Sequence, residues 1–217
     1  MGIGKKGYLY LLEMMDVSGI DKQEKITLCE FGDLMVRIDM GEIRRQYTRK
    51  SVLSGEQLFK YLNIETTSID LNGLHNSIKM DLRDEITDPN LLNYFDIVLD
   101  YGTSEHVISN QYQVFKNAND LCKMSGIMIH ALRCSETGHA SWYYNEKFFE
   151  NLCRRAGYHV LDFRITEPAY KWKPSTRLAF ITVRKSREEF MAKGDWVDPS
   201  GDMIGMKRWG EEIAPRS

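Results

Sequence analysis

Tyr94-Phe-Asp-Ile-Val-Leu-Asp-Tyr-Gly-Thr-Ser-Glu-His-Val107 is the stretch whose reading decides the fold. Its run over residues 95–99 shows no alternation of polar and apolar positions and stops abruptly at Asp100, Gly102, Thr103, Glu105 and His106. A strand that is apolar on both faces belongs inside a parallel sheet covered by helices. In such sheets ligands sit in the crevice beyond the carboxyl ends of the strands. The polar cluster therefore falls where an α/β protein does its chemistry.

Outward from this strand, helical and extended patterns alternate. Upstream, residues 6–15 read as an amphipathic helix and residues 26–32 as a strand that stops at Gly32. A charged stretch (39–50) and a helix (55–62) follow. Residues 66–70, rich in β-branched side chains and closed by the turn signal Asn72-Gly73, and residues 77–81 read as short strands, each ending in an acid. Downstream, Ile108, Tyr112, Phe115, Ala118 and Cys122 recur at helical spacing, which predicts a helix over 109–124 ended by Ser125-Gly126. Residues 127–132 are the next strand, and 146–156 a helix with Phe149, Leu152, Cys153 and Ala156 inward and Gly157 as its left-handed terminal residue. Residues 158–165 and 177–183 are the last strands; the segment 167–174 between them has loop composition, so they are expected to pair antiparallel. The expected fold is α/β: a Rossmann-like, mostly parallel sheet with one antiparallel strand and helices on both faces.

That order, with these strand ends, resembles the class I S-adenosylmethionine-dependent methyltransferases over residues 25–185. Cys29-Glu-Phe-Gly32 matches the acid and first glycine of the family's first-strand turn, Ser68-Ile-Asp70 its second-strand acid, and Met80-Asp-Leu82 its third-strand acid. The fourth-strand motif, followed by Glu105-His106-Val107, the segment 120–129 and the segment 148–158 resemble the family's later steps. The resemblance implies S-adenosylmethionine as cofactor. Glu30, Gly32 and Asp33 would then lie at its methionine part, Asp70 at the ribose hydroxyls and Asp81 with Leu82 at the adenine. Asp100 and Gly102, at the fourth strand's end, complete the cofactor-binding candidates. The physical reasons stand beside the family name: a carboxylate accepts two ribose hydroxyls at once, and glycine removes the Cβ that would hold a ligand off the backbone. The chain departs from the family after Gly32, where Asp33-Leu-Met-Val36 replaces further glycines and the next glycine is Gly41. Asp70 follows Gly32 by 38 residues, against roughly 20 in a compact dinucleotide unit. An insertion around 39–54 accommodates the difference.

Composition narrows the partners. A formal charge of −2 and a pI near 6.2 give no electrostatic case for nucleic acid. No apolar run approaches the roughly 20 residues that cross a bilayer. The first residues lack a signal peptide's apolar core, and Lys6 stands where a myristoylation motif needs Ser or Thr. Cys29, Cys122, Cys134 and Cys153 show no paired spacing and read as reduced thiols in a cytoplasmic protein. His130, Cys134 and His139 match no metal-ligand pattern, and no metal is expected. The chain divides into an N-terminal helical segment (1–24), a methyltransferase domain (25–185) and a tail (186–217) carrying Trp196, Met203, Met206 and Trp209, either docked or a partner-binding arm.

The expected activity is transfer of the sulfonium methyl to oxygen or nitrogen of a small polar molecule or saccharide, a reaction that asks for alignment and a dry site. His106 and His139 are the candidate bases, with Glu105 as orienter or alternative base. Glu105 and His106 also suit a plain helix start, and Trp142-Tyr-Tyr144 reads either as a lid or as core. Two other readings compete. One is a non-catalytic binding or scaffold module that keeps the fold, motivated by the altered glycine turn. The other is a nicotinamide oxidoreductase, disfavoured because its fingerprint needs more glycines still.

Overall fold

The computed structural model describes residues 2–37, 55–135, 138–166 and 177–201. Seven strands make the main sheet: β1 (Ile26–Phe31), β2 (Ile64–Asp70), β3 (Ile78–Lys79), β4 (Phe95–Tyr101), β5 (Cys122–Arg133), β6 (His159–Ile165) and β7 (Leu178–Arg184). Their order in space is β3-β2-β1-β4-β5-β7-β6, and β7 alone runs against the rest. This is the Rossmann-like methyltransferase sheet. The chain lays β2 and β3 to one side of β1 and returns to place β4 on the other, so the order reverses between β1 and β4. That reversal opens a crevice at the strands' carboxyl ends.

The lack of alternation in β4 has a direct cause. Period-two geometry sends Ile97, Leu99 and Tyr101 to one face and Val98 to the other, where Phe95 joins Val98 across the irregularity between Phe95 and Ile97, and both faces are covered. Helices α1 (Lys5–Ser18) and α2 (Gly55–Tyr61) cover one face with Leu11, Met14, Leu58 and Phe59. Helices α3 (Gln111–Leu121) and α4 (Glu146–Ala156) cover the other with Val114, Phe115, Ala118, Phe149, Leu152 and Ala156. Gly157 ends α4 in the left-handed region at φ 68°, as its position predicts. Asp96, polar within this apolar run, is satisfied by the Thr27 N–H at 2.8 Å and hydroxyl at 2.7 Å and by Lys123 Nζ at 3.0 Å.

The boundary between α3 and β5 differs from expectation. The helix stops at Leu121 rather than continuing to 124, and β5 begins at Cys122 with an irregularity in its pairing to β4. Tertiary partners end the helix early. Asn93 and Tyr94 donate their N–H groups to the carbonyls of Asp120 and Leu121 at 2.7 and 3.1 Å. The buried ammonium of Lys185 donates to the carbonyls of Asn119 and Cys122, both at 2.8 Å, and to Asn93 Oδ1 at 2.7 Å. The last carbonyls of α3 are thus capped by residues remote in sequence.

The segment 186–201 lies against the α3–α4 face. Met191 is buried, Phe190 and Trp196 pack on the same core, and Ser200–Gly201 pairs antiparallel with Trp142–Tyr143. Tyr144 is fully buried among Phe115, Phe148 and Phe149, so this aromatic is core rather than lid. All four cysteines are free thiols. The charged stretch 39–50, Gly41, the loop 167–174 and the residues Met203, Met206 and Trp209 lie outside the described residues.

Candidate functional site

The crevice edge is built where β1, β2 and β4 end. Gly32 leaves β1 at φ +79°, donates its N–H to the Ile69 carbonyl at 2.7 Å and would drive a Cβ into the hydroxyl of Thr103. Thr103 in turn donates that hydroxyl to the Phe31 carbonyl at 2.5 Å, stitching the end of β1 to the turn after β4. Glycine here is demanded by backbone and packing alike. The Asp33 N–H reaches Asp70 Oδ2 at 3.1 Å, Asn72 N–H reaches Asp70 Oδ1 at 2.9 Å, and the Asp33 carboxylate pairs with His75 Nδ1. Each oxygen of Asp70 therefore takes one backbone donor and keeps lone-pair capacity for another, which fits a pair of ribose hydroxyls.

Glu30, at the end of β1, is buried, and its Oε2 has no hydrogen-bond partner among the described residues. Desolvation, helped by the charges of Asp33 and Glu56 and opposed by bonds from Ser68 and Leu34, lifts its carboxyl to about 8. The first residue of α2 is Gly55, and a side chain there would collide with the Glu30 carboxylate. A buried acid whose Oε2 lacks a partner among the described residues is suited to a cationic group that would favour its ionised form, and an amino-acid ammonium is one such group.

Other candidates are held by this chain's own groups. Asp81 accepts Arg83 Nε at 2.9 Å and Nη2 at 2.5 Å, and this bonding holds its carboxyl below the usual range. Leu82 is buried in the apolar core. Asp100 is fully enclosed; it accepts the N–H groups of Thr103 and Ser104 at 3.1 and 3.2 Å and the Ser104 hydroxyl at 2.6 Å, and it contacts His130 Nδ1 at 3.1 Å. Asp100 thereby fixes the turn in which Gly102 adopts φ 81°. His130 lies inside the core against Phe115, with ring centroids 5.0 Å apart.

That turn carries the second half of the site. Ser104–His106 forms a single 3-10 turn just beyond β4, not the opening of α3. Glu105 is buried, and its Oε2 accepts the Arg133 N–H at 2.6 Å. Its Oε1 stands 3.6 Å from His106 Nε2 and 3.7 Å from Arg133 Nε. The Glu105 carbonyl accepts the Ser141 N–H at 2.8 Å, which brings the loop after β5 down onto the turn. His139 arrives on that loop, its ring centroid 5.2 Å from that of His106 and the planes at 81°. The structure thus brings together Glu105, His106 and His139, whose donor atoms lie within 4.8 Å of one another, whereas His130 and Cys134 are not in this group.

Burial decides the charges. Desolvation, with some help from Asp100, raises the Glu105 carboxyl to about 8. Desolvation and then His139 and Arg133 lower the His106 imidazole to about 3. At neutral pH the contact is between a neutral imidazole and a mostly protonated acid, not an ion pair. Arg133 and Ser141 shape this group together with Thr103 of the polar cluster, and His75 meets Asp33; Arg133, Ser141 and His75 are not among the residues expected from sequence. Only Arg133 carried a signal, since it ends a central strand at the crevice side.

The fold is shared with solved structures at low sequence identity. A Burkholderia thailandensis 1,6-didemethyltoxoflavin-N1-methyltransferase, solved with 1,6-didemethyltoxoflavin and S-adenosylhomocysteine, aligns at 14% identity and a TM-score of 0.51, over 80% of this chain and 78% of that one. The [4+2]-cyclase SpnF aligns at 14% identity and 0.50, over 80% of both chains. An S-adenosylmethionine-dependent methyltransferase from Archaeoglobus fulgidus aligns at 12% and 0.50, over 81% of this chain and 93% of that one. No family model matches the sequence, and no curated protein matches it. No helix among the described residues is long and apolar enough to cross a membrane.

Proposed function

We propose that this chain is an S-adenosylmethionine-dependent methyltransferase acting on oxygen or nitrogen of a small polar molecule or saccharide. One observation carries the reading. The turn after β1, Asp70 at the end of β2 and the Glu105–His106–His139 group beyond β4 are tied into one edge of the sheet by the Asp33–Asp70 and Thr103–Phe31 hydrogen bonds. A donor held at the first two presents its reactive end toward the third.

A bound sulfonium would supply an electrophilic methyl group. The chain's residues provide the remainder. The free lone pairs of Asp70 suit the ribose hydroxyls, and the unpartnered Oε2 of Glu30 suits the ammonium of the amino-acid part. At the acceptor, an O–H proton must leave as the oxygen takes the methyl. Glu105, with a carboxyl near 8, is the base whose strength fits this transfer at neutral to mildly alkaline pH. His106, near 3, serves better as a neutral hydrogen-bond acceptor orienting the hydroxyl.

Calorimetric titration of the full chain with S-adenosylhomocysteine tests the cofactor half. Saturable binding is the expected result, and its absence in folded protein overturns the reading. Incubation with labelled S-adenosylmethionine and a panel of hydroxylated and amino acceptors tests transfer. The second reading, a binding or scaffold module, is favoured by one feature: the Asp33 carboxylate at the altered turn is already engaged by His75. Tight cofactor binding with no turnover on any acceptor would favour it. The cyclase with this fold is a reminder that chemistry resides in the site rather than in the sheet.

A further inference from the structure

We infer that Glu105, His106 and His139 form a binding site for one divalent first-row transition-metal ion, open on the side where an acceptor hydroxyl would approach. The geometry comes from two places in the fold. Glu105 and His106 are consecutive in the turn after β4, and His139 is delivered by the loop after β5. Their donor atoms all lie within 4.8 Å of one another.

The spacing is near what coordination needs. Ligand bonds of about 2.1 Å set neighbouring donors roughly 3.0–3.4 Å apart around an octahedral or tetrahedral ion. Glu105 Oε1 and His106 Nε2, at 3.6 Å, are too far for a hydrogen bond and close to that edge. His139 is exposed, and its nitrogen lies within 4.8 Å of the other two ligand atoms. The other two ligands are held in place. Arg133 N–H fixes Glu105 Oε2 at 2.6 Å, leaving Oε1 toward the imidazoles. The Ser141 N–H bond to the Glu105 carbonyl, with Ala140 and Ser141 themselves buried, anchors the chain directly after His139. Such support of ligands by backbone groups is what metal sites use to set orientation.

Donor chemistry sets the ion class. Two imidazole nitrogens and one carboxylate oxygen suit zinc, manganese, iron(II) or cobalt, whereas magnesium and calcium favour oxygen sets. Three protein ligands leave at least one position for water or a hydroxyl. An ion there would bind an acceptor oxygen and make its proton easier to remove, with Glu105 and His106 then serving as its ligands in place of the base and orienting roles they take in the metal-free site. The ion's role at the acceptor rests on the methyltransferase reading; its binding does not.

The test uses the full chain, stripped of metal and dialysed, titrated calorimetrically with Mn2+ and with Zn2+ in the absence of cofactor. One equivalent per chain is expected, with a rise in the unfolding midpoint. His139→Ala, a change at an exposed position that leaves folding intact, should weaken binding at least tenfold and abolish the rise, and Glu105→Gln should do the same. The absorption of a Co2+ complex should show nitrogen ligation in the wild type and lose intensity in His139→Ala. No binding to the wild type, unchanged binding in His139→Ala, or loss in Cys134→Ser without loss in His139→Ala each overturns the site. S-adenosylhomocysteine titration of His139→Ala keeps the two readings apart: normal cofactor affinity with lost metal supports the site whether or not methyl transfer is ever observed.

Discussion

The backbone N–H of Asp33 donates to Oδ2 of Asp70 at 3.1 Å, so the turn after the first strand is closed by the acid that ends the second. A turn that lacks the usual further glycines is held by a side chain instead. The same carboxylate is therefore both a structural clasp and the ribose candidate.

Asp70→Ala should weaken S-adenosylhomocysteine binding by about 2–3 kcal/mol, the cost of removing a charged acceptor from two hydroxyls. Asp70→Asn keeps an oxygen for the Asp33 N–H and should retain the fold with an intermediate loss. Calorimetry on both variants checks this. Unchanged affinity in folded Asp70→Ala would remove the residue from the cofactor.

Once an acceptor is found, Glu105→Gln and His106→Ala should each lower turnover by about 100-fold or more with little change in cofactor affinity. The rate should rise with pH toward the Glu105 value of about 8 in the wild type, and this rise should vanish in Glu105→Gln. Full turnover by folded His106→Ala would move the orienting role to His139.

Glu30 predicts a pH dependence of stability. Its folded value of about 8 lies above the ordinary carboxyl value of 4.5, so the folded state holds the proton more tightly. The stability this contributes is complete below about pH 4.5 and is lost as pH rises through about 8. Between pH 6.5 and 8 the loss from this one group is at most roughly 2 kcal/mol. Urea unfolding at those two pH values should show a smaller drop in Glu30→Gln than in the wild type. Glu105 moves in the same direction, so the drop should shrink and not disappear.

Lys185→Met should destabilise the chain by about 2 kcal/mol or more. It leaves the carbonyls of Asn119 and Cys122 buried without their donor. Chemical denaturation measures the effect, and a neutral outcome would show that the cap on α3 is dispensable.

Truncation after Lys185 should lower the unfolding midpoint, because it removes buried Met191 and the contacts of Phe190 and Trp196 with the α3–α4 core. Loss of one buried methionine side chain alone is expected to cost about 2–5 kcal/mol. A differential scan of the truncated and full chains reads this directly; identical midpoints would show that the tail is separable at 185.

Much of the architecture is determined by the residues themselves. The unbroken run in β4, the 3.6-residue spacing in α3 and α4, the glycine at the end of α4 and the loop composition of the sequence between the last two strands specify layers, helices and the antiparallel strand. These are local signals, set by which faces must be buried and by backbone conformations that few residues adopt. The polar strand ends at Glu30, Asp70 and Asp100 are legible for the same reason, since a parallel sheet places every such end on one edge.

Tertiary structure decided the rest, because burial and pairing across long sequence distances leave no local trace. Whether Asp100 faces a ligand or fixes a turn depended on Ser104 and His130 enclosing it. The end of α3 depended on Lys185, 64 residues beyond the last residue of the helix. His106, an ordinary imidazole by sequence, becomes a neutral group held near 3 because the fold removes water from around it. His139 joins Glu105 and His106 only because the Ser141 N–H bonds the Glu105 carbonyl and brings the loop after β5 onto the turn after β4.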